Sequence, residues 1–412
     1  MEGAALPYPP AAAAPAAHGL QHVALRPPRP EVTLGMPELN SCVLSRELIA
    51  DRPRGRREQC EFISANESGL VCMFVRRLKT AIYGEVWDAL AVERVGEGSA
   101  DEHFRVRHDE RGMQRRLAVK RMRWDDINRL RDTHQEDPLR EIAALSRMRD
   151  PEHPNVLSMV EALSDGTTVY LVTPFVDGGE LFDWVAEEGV VGEAIVQRMF
   201  RQIVDGMRYM HSKGICHADM SLENTLVDEA KLNAFIIDFG MCLGMPTDDR
   251  GLRHMSVSDR RRAKPSYCSP EAFKAKAYDG VKVDVFAAGA MLFMMLTGFP
   301  PFTVASRTDS SFRQLVWKGD VQGLLRRFQQ PPLPTEVAGL LKQMLAYKAE
   351  DRPLPAQVLA HAWLAPRSPP PVPAGSASGS GSGSASGSSY TPTSFSCSPA
   401  ASLATGSGPS PS

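Results

Sequence analysis

The sequence is poor in the features that mark several large protein classes. Its 412 residues include only seven cysteines, at positions 42, 60, 72, 216, 242, 268 and 397, and no two of them form a CxxC pair. Neither a zinc site nor a disulfide framework is therefore indicated. A reduced compartment inside the cell is the simplest interpretation, and we expect a cytoplasmic protein, with the nucleus as an alternative.

An excess of positive charge is also missing. The chain has 47 Lys and Arg against 49 Asp and Glu, a net charge of −2, whereas nucleic-acid binding needs clustered basic residues. We therefore expect no nucleic-acid partner, and we interpret "DRPRGRRE" at 51–58 as a solvated stretch rather than a nuclear import signal. No apolar run approaches the length of a membrane span. The proline-broken start lacks the basic region of a secretory signal, although an acid-free stretch at 3–30 leaves a transit peptide open.

Composition divides the chain into three parts without internal repeats. Residues 1–65 begin as an Ala/Pro-rich stretch, which predicts a disordered N-terminal arm. Residues 367–412 have no charged residue after position 367 and are dominated by Ser, Gly, Ala and Pro, which predicts a flexible tail. The remaining 66–366 are dense enough in apolar residues to form one folded domain.

Within 66–366, strand patterns come first and helical patterns follow. Alternating segments such as "YGEVWDALAVERV" and "RRLAVKRMRW" predict strands, and the polar stretch between them, about 95–114, predicts a surface hairpin insertion. Asp137-Pro138 predicts the start of a helix, and apolar residues repeat at helical spacing from Ile195 to Met210. We therefore predict an α+β fold with two lobes. A small sheet lobe with one main helix (66–175) precedes a larger, mainly helical lobe (176–366), with a cleft between them.

Polar residues suited to phosphoryl transfer occur in a fixed order along this domain. Lys120 lies on the strand "LAVKRM", after Ala118 and Val119, and Glu141 lies on the next helix. The stretch "GICHADMSLENTLV" at 214–227 contains Asp219 and Asn224, and "IIDFG" contains Asp238. Transfer from ATP needs cations on the phosphates, a carboxylate that orients the hydroxyl, and oxygen ligands for a metal ion. These five residues could supply them.

This order of motifs resembles the eukaryotic protein kinases, over about 70–366. After "DFG", the segment "PSYCSPE" is similar to the end of an activation segment. The segments "DVFAAGAMLFMMLTGFPPF" and "DRPLPAQVLAHAWL" resemble the central and closing helices of calmodulin-dependent-kinase-like Ser/Thr kinases. The resemblance implies that Lys120 with Glu141 grips the phosphates and that Asp219 orients the hydroxyl. It further implies that Asn224 and Asp238 hold Mg²⁺ and that Glu271 pairs with Arg352.

The resemblance also implies a nucleotide pocket. Thr173 would be its gatekeeper, the Pro174 carbonyl and Val176 N–H would bind adenine, and Glu180 would hold either the ribose or, with Glu223, an arginine of a basic substrate. His217 would be structural, stacked with Leu145, Met159 and Phe239. The implied nucleotide-binding residues are Leu78, Gly84, Val86, Ala118, Lys120, Thr173, Pro174, Val176, Glu180 and Leu226.

Four departures from the family pattern put activity in question. Lys79 and Ala81 stand where the phosphate-covering loop usually has glycines. Ala218 replaces the arginine that binds a phosphorylated activation loop, which suggests that phosphorylation there is not the main switch. Ser221 replaces a catalytic-loop lysine, and Lys264 stands where Ser/Thr kinases carry threonine.

The last two departures suggest one hypothesis. In the family fold positions 221 and 264 touch, so Lys264 could supply, from the opposite wall, the cation that Ser221 lacks; we therefore count Lys264 among the catalytic candidates. The alternative interpretation is that Ser221 reflects decay and Lys264 merely follows the basic run at 260–262.

Decay normally affects the metal-binding and base residues too, yet these are all present. We therefore predict a monomeric Ser/Thr protein kinase that uses ATP and Mg²⁺ and acts on protein substrates, with a preference for basic ones as a further hypothesis. The alternatives are a pseudokinase that binds nucleotide or acts as a scaffold, and a kinase-fold enzyme that acts on a small molecule or transfers a nucleotide.

Overall fold

The computed structural model of this chain describes residues 29–30, 34–50, 57–96, 103–130, 134–189, 191–228, 232–245, 256–257, 263–274 and 278–365. The predicted tail at 367–412, and residues 1–28 of the predicted arm, lie outside the described residues. The prediction of a domain that combines helices and strands is confirmed.

The strands are β1 (Arg29–Pro30), β2 (Asn40–Ala50), β3 (Arg57–Ala65), β4 (Val71–Ala81), β5 (Gly84–Val95), β6 (His103–Val106), β7 (Arg116–Arg123), β8 (Glu161–Ser164), β9 (Thr168–Pro174), β10 (Ile215–Cys216), β11 (Thr225–Asp228), β12 (Asn233–Ile236), β13 (Leu243–Gly244) and β14 (Ser256–Val257).

The helices are α1 (Trp124–Leu130), α2 (Pro138–Arg147), α3 (Leu181–Glu188), α4 (Glu193–Ser212), α5 (Pro270–Phe273), α6 (Gly280–Thr297), α7 (Ser310–Phe312), α8 (Val321–Arg327), α9 (Thr335–Met344) and α10 (Pro355–Leu359). A π-helical turn continues α7 over Arg313–Trp317, and 3₁₀ turns occupy Ala349–Asp351 and Ala362–Leu364.

The largest sheet closes on itself. Its strand order is β4-β3-β2-β8-β9-β7-β5-β6, and β4 also pairs with β5, so that seven strands form a ring with β6 attached to β5. The pairings are antiparallel except for the parallel contact of β2 with β8. Two short contacts complete the ring, β2 with β8 and β3 with β4.

The prediction that all of 1–65 forms a disordered arm was wrong for the part that contains β2 and β3. The two strands pair over nine residues each, and they bury Cys42, Phe62 and Ile63. The buried Glu161 carboxylate joins the start of β2 to the ring, because it accepts hydrogen bonds from Asn40 (2.8 Å) and Ser68 (2.6 Å). The Ala/Pro-rich composition of the first forty residues does not extend into this hairpin.

Alternation along β7 separates the interior of the ring from the cleft. Leu117 and Val119 are buried inside the ring with residues of β2, β3 and β4. Ala118 and Lys120 point to the opposite face, because successive side chains of a strand alternate between faces. That face packs on α2, with Met122, Ile142 and Leu145 in one core cluster. One strand therefore supports both the hydrophobic core of the ring and the wall of the cleft.

The polar segment predicted as a surface hairpin contains β6, which pairs antiparallel with the end of β5. Phe104 of β6 stacks on Phe62 of β3 with ring centroids 4.3 Å apart. This contact ties the segment to the N-terminal hairpin.

The helical part is organised around α4 and α6. α6 packs against α4 and α9, and it is buried along nearly its whole length. By length and composition it could cross a membrane, yet 83% of it is buried inside the structure, as core helices commonly are. The expectation that no apolar run approaches such a length was wrong for this segment, whose polar residues Lys282 and Asp284 lie near its start.

Candidate active site

A buried ion pair joins the sheet to the first long helix. Lys120 Nζ donates to Glu141 Oε2 at 2.7 Å, and both side chains are mostly buried. α2 is positioned by its cap, because the Asp137 carboxylate accepts the Leu139 N–H and Pro138 occupies the first turn. Burial alone would lower the pKa of Lys120, but the carboxylates of Glu141 and Asp238 outweigh it and raise that pKa. The lysine is therefore a fixed positive charge at the back of the cleft.

The loop that follows β10 holds Asp219 and Asn224 together. The Asn224 amide group donates to the Asp219 carbonyl (2.8 Å) and to Asp219 Oδ2 (2.7 Å). The buried Asp284 carboxylate accepts the backbone N–H groups of His217 and Ala218, each at 2.9 Å. Asp284 thus fixes the backbone of the loop just before Asp219, and this backbone positions the Asp219 carboxylate.

His217 belongs to this framework rather than to the chemistry. It is fully buried, bonds the Ile237 carbonyl through Nε2 at 2.9 Å, and lies with its ring centroid 5.0 Å from that of Phe239. Ala218 beside it has a positive φ of 63°, which is unusual for a residue other than glycine. Its side chain lies in an apolar cluster with Cys216, Leu243 and Met245.

Asp238 follows β12 and lies close to Lys120. Burial raises the pKa of its carboxyl. The Lys120 ammonium and the Gly240 N–H lower this pKa by more than burial raises it, so the net shift is downward. The Gly240 N–H donates to Asp238 Oδ1 at 3.3 Å. Asp238 is therefore held ionised, as a metal ligand must be.

Lys264 lies across from the catalytic loop and contacts it at three points. Its backbone N–H donates to Asp219 Oδ1 (3.1 Å), and its ammonium donates to Asp219 Oδ2 (3.0 Å) and to Ser221 Oγ (2.8 Å). Its side chain keeps 35% exposure, so the ammonium is partly open to solvent. The structure thus brings together Ser221 and Lys264, two of the positions at which the sequence departs from the family pattern.

A cavity of about 630 Å³ lies between the sheet and the helical part. Its walls include nine of the ten residues expected to bind a nucleotide, together with Glu141 and Asp238. Those nine are Leu78, Val86, Ala118, Lys120, Thr173, Pro174, Val176, Glu180 and Leu226.

The tenth residue, Gly84, does not line this cavity. It begins β5 with φ of +154°, and a Cβ there would lie 2.0 Å from the Arg121 carbonyl oxygen. Gly84 therefore allows close strand packing beneath the loop. Asp219, Asn224 and Lys264 also lie outside the cavity walls.

Two residues of the cleft, Tyr83 and Glu136, were missed from the sequence, and so was the ion pair of Lys79 with Glu180. Tyr83, at the turn between β4 and β5, is buried, and its hydroxyl donates to the Glu136 carbonyl just before α2. Burial and the nearby Asp238 raise the pKa of the Glu136 carboxyl, which lines the same cavity. Lys79 bonds Glu180 at 3.0 Å. A tyrosine in a turn is normally expected to be exposed, and no sequence pattern indicates these contacts.

The segment that carries Lys264 runs from residue 264 to residue 271, and its end is anchored to the helical core. Arg352, whose side chain is fully buried, forms two parallel hydrogen bonds to the Glu271 carboxylate and a third to the Ala346 carbonyl. Bidentate pairs of this kind fix geometry as well as charge. The predicted pair of Glu271 with Arg352 is therefore present in the structure.

Comparison with known proteins gives one family. The model of the protein kinase domain matches residues 90–364. Among curated proteins, the chain is 37% identical to CBL-interacting protein kinase 17 of Oryza sativa subsp. japonica over 203 residues, which are 47% of this chain and 42% of that protein. It is 33% identical to CBL-interacting serine/threonine-protein kinase 17 of Arabidopsis thaliana over 229 residues, 54% of this chain and 48% of that protein. The chain spans about half the length of the curated relatives it matches.

Proposed function

The chain belongs to the protein kinase family, and we propose that it is an active kinase that transfers the γ-phosphate of ATP to Ser or Thr hydroxyls of proteins. The observation that carries this proposal is the contact of the Lys264 ammonium with both Asp219 and Ser221. It supplies a cation where the catalytic loop lacks one.

The residues of the site divide the work of phosphoryl transfer. We propose that Lys120, fixed by Glu141, binds the α- and β-phosphates, and that Asp219 accepts a hydrogen bond from the substrate hydroxyl and orients it. The hydroxyl oxygen then forms a bond to the γ-phosphorus as the bond to ADP breaks, and the hydroxyl proton passes to the Asp219 carboxylate. Lys264 neutralises charge on the transferred group. Such stabilisation by fixed charges is the main source of rate in this chemistry.

The donor atoms fit a divalent cation shared with the nucleotide. The two N–H groups of Asn224 bond Asp219, which leaves its carbonyl oxygen for a metal ion, and Asp238 is ionised beside it. In the part of the chain that the structure describes, no three His, Cys, Asp or Glu side chains form a metal cluster. Mg²⁺ suits such a site because proteins hold it with one or two carboxylates plus substrate phosphates. The ion would neutralise phosphate charge.

The cavity suits a nucleotide bound between two lobes. We propose that the ring of strands with α2 forms the small lobe and that the helices from α3 onward form the large one. Adenine would lie between Val86, Ala118 and Leu226, bonded to the backbone at Pro174 and Val176, with Thr173 behind it. The apolar walls with few polar groups are typical of nucleotide sites.

A preference for basic substrates is a narrower proposal. Glu180 already bonds Lys79, and Glu223 accepts the Tyr267 hydroxyl at 2.8 Å. An arginine of the substrate would therefore displace Lys79 from Glu180. Their ion pair is exposed, so breaking it costs little free energy. Peptides with and without an arginine before the acceptor serine test this preference, and equal kcat/KM values would contradict it.

The whole proposal is tested by γ-phosphoryl transfer from Mg·ATP to a basic Ser/Thr-containing protein by the full chain. We expect transfer by the parent and none above background by Asp219→Asn or Asp238→Ala. Nucleotide binding without transfer, by a chain that is folded, would instead support the pseudokinase alternative.

We also expect a monomer in the cytoplasm or nucleus. Size-exclusion chromatography would check the oligomeric state, and imaging of the tagged chain would check the location.

A further inference from the structure

A cluster of cations and aromatic rings lies on the helical part, away from the nucleotide cleft. It consists of Trp317 at the end of the π-helical turn, Tyr347 after α9, Arg307 before α7, and Lys274 after α5. We call these four residues the aromatic–basic patch.

The four side chains of the patch form a continuous series of contacts. The Arg307 guanidinium lies over the Trp317 ring at 3.3 Å from its centroid. The Trp317 and Tyr347 rings meet edge to face at 4.7 Å. Lys274 Nζ donates to the Tyr347 hydroxyl at 2.7 Å. Tyr347 also contacts the buried ring of Phe312 at 6.4 Å, so the patch stands on the hydrophobic core.

The positive charges of the patch are not neutralised within the described part of the chain. Neither Lys274 nor Arg307 has a carboxylate within 4.0 Å among the residues that the structure describes. Lys274 lowers the pKa of Tyr347 through its hydrogen bond and its charge, and the charge of Arg307 adds to the effect. The chain as a whole has a net charge of −2, so the two cations of the patch are a local feature of this surface.

Neighbouring residues extend the same charge. Arg313, Lys318 and Lys348 are exposed and lie on the segments that carry Trp317 and Tyr347. The acidic residues nearest to them along the chain are Asp309, which accepts four backbone N–H groups, and Asp320, Glu350 and Asp351.

We propose that the aromatic–basic patch binds a carboxylate-rich segment of a protein partner, which places an apolar side chain on Trp317. Trp317 keeps 44% of its surface exposed, and exposed Trp, Tyr and Arg are the residues most enriched at the energetic centres of interfaces. The planar guanidinium of Arg307, supported by the indole ring, presents its N–H groups to a carboxylate. The single charges are spread over several segments, which suits several carboxylates better than one compact dianion.

The patch is attached to the segment that the Glu271–Arg352 pair anchors. Lys274 lies three residues after Glu271, and Tyr347 lies five residues before Arg352. A partner bound to the patch is therefore held beside the end of that segment. The proposal itself needs only the surface and is independent of whether the chain transfers phosphate.

Fluorescence anisotropy with the full chain and a labelled glutamate-rich peptide carrying one central leucine tests the proposal. We expect binding that falls at least about tenfold in Arg307→Glu and about tenfold in Trp317→Ala, the size of typical interface anchors. Trp317→Phe should retain most of the affinity. Arg123→Glu, an exposed arginine near the sheet, is the matched charge reversal and should bind like the parent.

Three results would overturn the proposal. The first is equal binding of a peptide in which glutamine replaces every glutamate. The second is parent-like affinity in both Arg307→Glu and Trp317→Ala. The third is an oligothymidylate that binds more tightly than the peptide and loses its binding in the same variants, which would assign the patch to phosphate. Because the assay uses no ATP, its failure would leave the proposed kinase activity untouched.

Discussion

Replacing Lys264 with threonine is expected to lower kcat for phosphoryl transfer by roughly two orders of magnitude, the loss typical for one preorganised charge at a reacting group. The ammonium lies 3.0 Å from Asp219 Oδ2 and 2.8 Å from Ser221 Oγ, and threonine places no charge at this point. The KM for ATP should change little, because Lys120 still binds the other phosphates. Steady-state kinetics at saturating ATP measure both constants.

Returning a lysine to the catalytic loop should restore the rate. Because Ser221 Oγ is within hydrogen-bond distance of the Lys264 ammonium, a lysine at either position can place its charge near the same point. We therefore expect the double variant Ser221→Lys, Lys264→Thr to recover most of kcat. Ser221→Lys alone should be slower than the parent, since two ammonium groups would then repel each other.

A merely structural role for Lys264 would give a different pattern. Lys342→Thr, at an exposed position of α9, is the control and should keep the parent rate, and thermal unfolding of each variant separates stability from catalysis. If Lys264→Thr keeps the parent kcat, or if the double variant is no faster than the single one, the relocated cation is disproved.

Removing residues 1–66 is expected to lower the melting temperature by about 10 °C or more, or to prevent soluble expression. The deletion removes β2 and β3, opens the ring, and loses the buried side chains of Phe62 and Ile63. Full burial of one such side chain contributes about 1.5–3 kcal/mol, against a typical total stability of roughly 5–15 kcal/mol. It also uncovers Cys72 and Leu163, which line the ring.

A fragment that begins at residue 34 is the matched control, because it keeps the hairpin and loses only the preceding stretch with the two-residue strand β1. We expect it to melt close to the full chain. In the full chain, Ile63→Ala should cost about 2–5 kcal/mol, which tests the ring without changing chain length. Equal melting temperatures for the fragments that begin at 34 and at 67 would show that the ring adds nothing to stability.

Local sequence patterns predicted the helix and strand that carry much of the candidate site, because each of these patterns involves only a few neighbouring residues. Asp137-Pro138 indicates the start of α2, and the alternation around Ala118 and Lys120 places both on one face of a strand. The resemblance then supplies the long-range pairing, including Glu271 with Arg352 and position 221 with position 264. These contacts join residues that the sequence separates widely, and only the order of the motifs indicates them.

The N-terminal hairpin could not be predicted in the same way. β2 contains charged residues beside its few apolar ones, and Val43 is exposed between buried Cys42 and half-buried Leu44. Its place in the sheet depends on partners far along the chain, such as Asn40 with Glu161 across 121 positions. The resemblance begins at about residue 70 and the matched family region at residue 90, so neither carries information about this hairpin.

If Lys264 acts as proposed, the rate of phosphoryl transfer depends on the position of the segment that carries this lysine. Its ammonium reaches Asp219 from the segment that ends at the Glu271–Arg352 anchor, whereas Lys120 and Asp238 belong to other elements. On the proposed role of Lys264, any displacement of that segment would withdraw its ammonium from Asp219, while the residues that line the cavity would keep their places. A ligand that prefers the displaced arrangement would reduce turnover by the fraction of molecules it holds there. Inhibition of this kind would be noncompetitive with ATP.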